Sequence, residues 1–240
     1  RVAKIERSKG RVSGVVLADG ESIEAGVVVA TCDPKQTFLS LVGEIDLPIQ
    51  LSEDIHKLRS RGTTAKLHLA LSGPLELDNG ETVTHMRTGE TLDKIEQAYD
   101  PAKYGEMATK PVLDVWVPSN EDSSLCPDGH AVVSVLVHSA SHHIKGEEAR
   151  ETLADRAVAE LARFCPSIGE RIVAREMLLP SDLEDRFGIT GGHIHHLEHA
   201  PDQMLFMRPV VSCAHYRTPI DGLLLAGSGC HPGGGITGAP

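Results

Sequence analysis

Aromatic side chains are scarce: four phenylalanines, three tyrosines and a single tryptophan, Trp116, make up 3% of the 240 residues. That is thin for base-stacking platforms, carbohydrate sites or an aromatic cage around an amine. Basic residues are also in deficit, 23 against 34 acidic ones, for a net charge of -11, which argues against nucleic acid as a partner. No apolar run reaches the roughly 18 residues that a membrane span needs. A signal peptide is missing too, and the opening Arg1-Val-Ala-Lys-Ile-Glu-Arg reads as the middle of a protein. The five cysteines (Cys32, Cys126, Cys165, Cys213 and Cys230) lie far apart with no C-x-x-C pair. This excludes a zinc framework or disulfide scaffold and points to a reducing, cytoplasmic setting.

What remains is the composition of a globular protein, 40% hydrophobic and 24% charged, long enough for one domain or two small ones. Residues 1–31 read as a strand meander. Val2–Ile5 alternates, Gly14–Leu17 leads into the hairpin signal Asp19-Gly20, and Ser22–Ala25 follows. Val27-Val-Val-Ala30 is apolar without alternation, which predicts a strand buried on both faces. Asp33-Pro34 then caps a helix through Phe38–Val42.

The middle has a different texture. Thr63–Leu71, Val112–Val117 and Val132–Val137 alternate at period two and predict strands of an antiparallel or mixed sheet. Leu92–Tyr99 reads as a short helix. Glu147–Phe164 is the strongest helix, with Ala149, Leu153, Ala157, Leu161 and Phe164 on one stripe and Pro166 behind it. His142-His143 ahead of Glu147-Glu148 reads as its solvated entrance. Ile172–Leu178 predicts a further strand, and Ser181-Asp-Leu-Glu starts a helix or turn.

The chain closes on the apolar strand Leu223–Ala226 and the run Gly227-Ser-Gly-Cys-His-Pro-Gly-Gly-Gly-Ile-Thr-Gly-Ala-Pro240. Glycines this dense let backbone approach a ligand closely, and strand, glycine turn and helix start together suit an electron-rich group. Within this run Cys230 reads as a space-filling residue. The cluster His193-Ile-His-His-Leu-Glu-His199 invites a zinc site, but its spacing is not H-E-x-x-H and Gly191-Gly192 favours a turning segment. A structural role is the better reading, and a metal-dependent hydrolase is set aside.

Three blocks carry a family resemblance: the tail Gly222–Pro240; Gly191–His196 with Pro201–Leu205 and Arg208-Pro209; and Gly10–Gly20 with Val27–Pro34. Together they resemble phytoene-desaturase-like FAD-dependent oxidoreductases of the amine-oxidase type. The resemblance implies an α/β fold in which residues 1–45 and 208–240 belong to a discontinuous Rossmann-like FAD-binding domain. Residues 46–207 then form an inserted α+β domain holding a small apolar substrate. The family's strand–G-x-G-x-x-G–helix fingerprint is absent, so the chain looks like the C-terminal portion of a roughly twice longer enzyme. Its missing N-terminal half is then a required partner.

The resemblance also implies site residues. Gly227, Ser228, Gly229, Gly233, Gly234 and Gly235 pass the flavin ribityl and ring, with His231 and Pro232 in contact. Ile236 and Thr237 open a helix toward the pyrimidine edge, and the backbone of Val2 pairs with adenine. His231 is placed as a loop contact rather than a general base. His196 falls on the substrate side, and Arg208 has two readings, substrate contact or salt-bridged brace. No catalytic acid or base and no metal follow. The alternative is a non-catalytic substrate-binding or interaction domain.

Overall fold

The structure, a computed structural model, describes residues 1–235. It resolves into two compact units, Arg1–Arg61 with Phe187–Pro240, and Gly62–Arg186. The seams fall at 61/62 and 186/187 rather than at 45/46 and 207/208. The shift arises because an unforeseen helix near residue 50 and the histidine-rich segment both pack into the first unit's core.

In the first unit, β1 (Val2–Ser8) and β2 (Arg11–Leu17) form an antiparallel hairpin, and β3 (Ser22–Glu24) adds to β2. Gly14 is dictated by packing, since a Cβ there would lie 2.3 Å from the Ile23 carbonyl oxygen. Then β4 (Val28–Ala30) pairs in parallel with β10 (Leu223–Leu225), Val28 opposite Leu223 and Ala30 opposite Leu225. Early and late strands thus share one layer. Burial of β4 on both faces does not hold: Val27 and Val29 are 56% and 53% exposed. With β10 as its one ladder neighbour among the described residues, β4 keeps only its Ala30 side covered.

Asp33 starts the next helix as expected, its Oδ1 accepting from the Gln36 N–H at 3.0 Å. The helix body, Gln36–Gly43, is π-helical rather than α-helical. It buries Phe38, Leu41 and Val42, and Gly43 at φ +94° ends it. Pro48 then leads into α1 (Ile49–Lys57), which the sequence reading missed. Only Leu51 and Ile55, one turn apart, are buried on it. Two apolar anchors contribute about 1.5–3 kcal/mol each, enough to dock a short helix but too few to mark one.

The second unit is a five-stranded sheet in the order β6 (His85–Arg87), β7 (Leu113–Trp116), β8 (Ala131–His138), β5 (Thr64–Leu71), β9 (Ile172–Leu178). Every pairing is antiparallel. Alternation sends Ala65, Leu67, Leu69 and Leu71 to the same core as Val133, Val135 and Val137. That core is closed by Leu153, Ala154, Ala157 and Leu161 of α3 (Glu147–Ala162). Helix α2 (Leu92–Lys103) is capped by the Thr91 hydroxyl and runs on through Pro101, past the expected stop. Two short helices, α4 (Ile168–Arg171) and α5 (Pro180–Phe187), flank β9.

Candidate functional site

The candidate site is the loop that leaves β10. Ala226 N–H still donates to the Ala30 carbonyl at 2.9 Å, and the chain then turns at Gly227, where φ is +86°. The turn needs glycine because L side chains rarely adopt that backbone. Gly229 packs on the start of the π-helical segment, where a Cβ would stand 2.7 Å from Pro34 Cδ. Cys230 is buried and donates its thiol hydrogen to the Gly227 carbonyl at 3.0 Å. Burial raises its pKa, as suits a filler.

Arg208 is the centre of this arrangement. Its side chain is fully buried, and its Nε donates to the Ser228 carbonyl at 2.7 Å. One terminal nitrogen donates to the Glu198 and Gln203 carbonyls (3.1 and 2.9 Å), the other to His195 and Leu197 (2.7 and 3.2 Å). A guanidinium has a rigid fork of donors that suits such a set of carbonyls. Burial without a carboxylate partner lowers its pKa to about 10. A substrate contact does not fit a side chain with no exposed surface and its donors committed. Of the two readings, brace is the one that matches, made through carbonyls rather than a salt bridge.

The histidine segment is held on its other side by charge. Glu198 accepts from Arg59 and Arg61 at 3.1 and 3.0 Å, Arg59 also grips Asp202, and Gln203 exchanges two hydrogen bonds with the Arg59 backbone. This places three imidazoles together: His195 and His199 stack with centroids 4.7 Å apart, and His193 lies 6.1 and 6.4 Å from them. They meet the glycine loop directly. Gly234 N–H donates to His199 Nε2 at 3.0 Å, and a Cβ on Gly234 would fall 2.4 Å from His195 Nδ1. Burial, then the neighbouring imidazoles, push His193 down to about 4. Burial likewise lowers His195, His196 and His199. The rings stack instead of converging, and among the described residues no group of three or more such side chains is placed to hold a metal ion.

The expected residues Gly227, Ser228, Gly229, His231, Pro232, Gly233, Gly234 and Gly235 therefore form one loop. His196 lies beneath it, its Cβ 3.5 Å from where a Gly229 side chain would start. Among the described residues the N–H groups of Gly227, Ser228 and Gly229 find no acceptor, and space around Gly235 is open. Such unpaired backbone donors and absent side chains fit an electron-rich planar ligand. Ile236 and Thr237 lie outside the described residues. Val2 sits elsewhere, lining a cavity of about 310 Å³ with Val15, Val28, Val29, Cys32 and Gln36.

Sequence reasoning missed two sets of residues. Tyr216, Phe206 and Arg59 support the loop from a distance in sequence, and no periodicity marks them. Lys66 and His68 on β5 occupy the polar phase of an amphipathic strand, which reads as solvent-facing. In the fold they are half-buried opposite Leu136 and Ser134 of β8. Desolvation lowers the pKa of Lys66, and of His138, whose buried Nε2 has no hydrogen-bond partner among the described residues.

Residues 1–239 match the family model for flavin containing amine oxidoreductases. The chain belongs to that family. Within this flavin oxidoreductase family, the chain is 33% identical over 256 residues to a rat protein, pyridine nucleotide-disulfide oxidoreductase domain-containing protein 2. It is 25% identical over 244 residues to the lycopene-forming phytoene desaturase of Pantoea ananas. Those alignments use 99% of this chain but 44% and 47% of the relatives, so the chain spans under half their length. An oxidoreductase structure from Methanosarcina mazei shares the fold at a TM-score of 0.54 and 16% identity, covering 96% of this chain and 44% of that one. That likeness agrees with the α/β fold of this chain.

Proposed function

We propose that the full-length protein is an FAD-dependent oxidoreductase. In this reading the first unit supplies the C-terminal part of the flavin-binding domain and the second unit holds the substrate. The observation that carries the reading is the 227–235 loop: among the described residues, backbone donors at Gly227–Gly229 with no acceptor and open space at Gly235, and a buried arginine fixing its base. When bound, FAD would supply the chemistry by accepting a hydride from a C–H bond of an apolar substrate, on a carbon bonded to carbon or to nitrogen. The remaining work falls to the protein's own groups.

Gly227, Ser228 and Gly229 would hold the flavin through backbone N–H groups, and the space at Gly235 would leave room for it. His231 and Pro232 would contact it from the same loop. The cavity at Val2 would take the adenine end. Burial disfavours the charged forms of His193, His195 and His199, which leaves the Arg208 guanidinium as a cation beneath the loop.

The test compares two proteins, the full-length gene product and residues 1–240 alone, after reconstitution with FAD. Stoichiometric flavin absorbance is expected for the first and weak or no retention for the second. A full-length product that takes up no flavin would overturn the reading. A fragment that holds flavin stoichiometrically would overturn only the need for the missing half.

A further inference from the structure

Tyr216 adopts a left-handed backbone at φ +65°, a conformation that costs a bulky L-residue about 1 kcal/mol or more. Its carbonyl accepts from Leu225 N–H at 2.8 Å, which ties it to β10. The strained turn brings the side chain to the glycine loop. The hydroxyl lies 3.3 Å from His231 Nδ1, and the two rings stand nearly perpendicular with centroids 6.0 Å apart. Phe206 packs against the same imidazole at 5.6 Å. Its segment is fixed by Leu205 N–H donating to the Pro232 carbonyl at 3.1 Å. Two chain segments distant from the loop therefore hold one histidine.

Acidity decides which group donates. A phenol O–H is a stronger acid than the N–H of a neutral imidazole, and a bare imidazole nitrogen is the stronger base. We infer that Tyr216 is a positioning residue: its O–H donates to Nδ1 and fixes neutral His231 in the tautomer that carries its proton on Nε2. Second-shell hydrogen bonds select histidine tautomers in this way. Nε2 then carries the proton and meets its surroundings as an N–H donor rather than a base. The identity of the recipient, an electron-rich edge of the flavin, rests on the proposed function. The tautomer does not.

Nitrogen-15 spectra of the histidine-labelled full-length protein read the tautomer, with His231→Gln assigning the signal. The Nε2–H form is expected in the wild type. Tyr216→Phe keeps the ring and removes the hydroxyl. It is expected to give a mixture of tautomers and to weaken FAD binding about threefold to tenfold, the effect of one hydrogen bond, with the unfolding midpoint unchanged. A proton on Nδ1 in the wild type, or a tautomer untouched by Tyr216→Phe, would overturn the inference. Wild-type protein that binds no flavin overturns the cofactor reading and the recipient assigned to this N–H, while the spectra still decide the tautomer.

Discussion

Arg208 Nε and the Ser228 carbonyl oxygen are 2.7 Å apart, and that bond joins the glycine loop to a guanidinium whose other donors hold the histidine segment. Removing the guanidinium takes the donor from five backbone carbonyls at once, those of Leu197 and Gln203 in fully buried bonds. Each such orphan costs about 1–3 kcal/mol, so Arg208→Met is expected to lower stability by about 3 kcal/mol or more. Arg208→Lys is expected to recover little, because one ammonium cannot span the same set. Urea unfolding of the full-length protein measures both; a loss under about 0.5 kcal/mol for Arg208→Met contradicts the bracing role.

Gly234 faces His195 closely enough that a methyl group and the imidazole cannot coexist as placed. Gly234→Ala is expected to displace His195 and lower flavin retention about tenfold or more. Gly169→Ala, where a Cβ meets nothing within 4 Å, serves as the control. Pairing Gly234→Ala with His195→Ala is expected to restore much of the loss, since the two changes share one contact. Additive losses in flavin titrations of the double variant would show that the contact is not the cause.

The imidazole cluster sets a pH dependence. His193 titrates at about 4 in the fold against 6.5 for an ordinary histidine. Between those values the unfolded chain binds more protons than the folded one, so stability rises with pH through the window. Read downward, stability falls as pH drops below 6.5 and this contribution levels off below about 4. Denaturation midpoints between pH 7.5 and 4.5 are expected to decline less steeply in His193→Gln than in the wild type. Parallel curves would remove His193 from the account.

Lys66→Met exchanges a half-buried amine for an apolar chain of similar length. Desolvation opposes its charged form, so stability is expected to hold or rise by about 0.5 kcal/mol. Urea unfolding of the full-length protein checks this. A loss of more than about 1 kcal/mol would show that the amine makes a favourable contact in the fold.

The alternating strands of the second unit were legible because β5 and β8 each bury every second residue against α3, and that periodicity is written in the order of the residues. The glycine loop was legible for a different reason: so many residues lacking a Cβ have few uses. Arg208 was visible only as half of an Arg-Pro pair, because its five acceptors come from carbonyls, which no side-chain pattern encodes. Tyr216 was silent, since its strained backbone and its contact with His231 depend on how β10 and the loop meet. The misjudged burial of Val27–Ala30 has a similar origin. An unbroken apolar run states that a strand expects cover on both sides, but not whether the same chain provides it.

The uncovered edge of β4 affects how the polypeptide behaves in a test tube or a cell. Along β4 one row of peptide groups is answered by β10, while the opposite row and the exposed valines beside it have no counterpart among the described residues. Such an edge recruits whatever extended segment it meets first, a second copy included. Concentration and the speed of capture then govern whether soluble material accumulates, ahead of any question of catalysis.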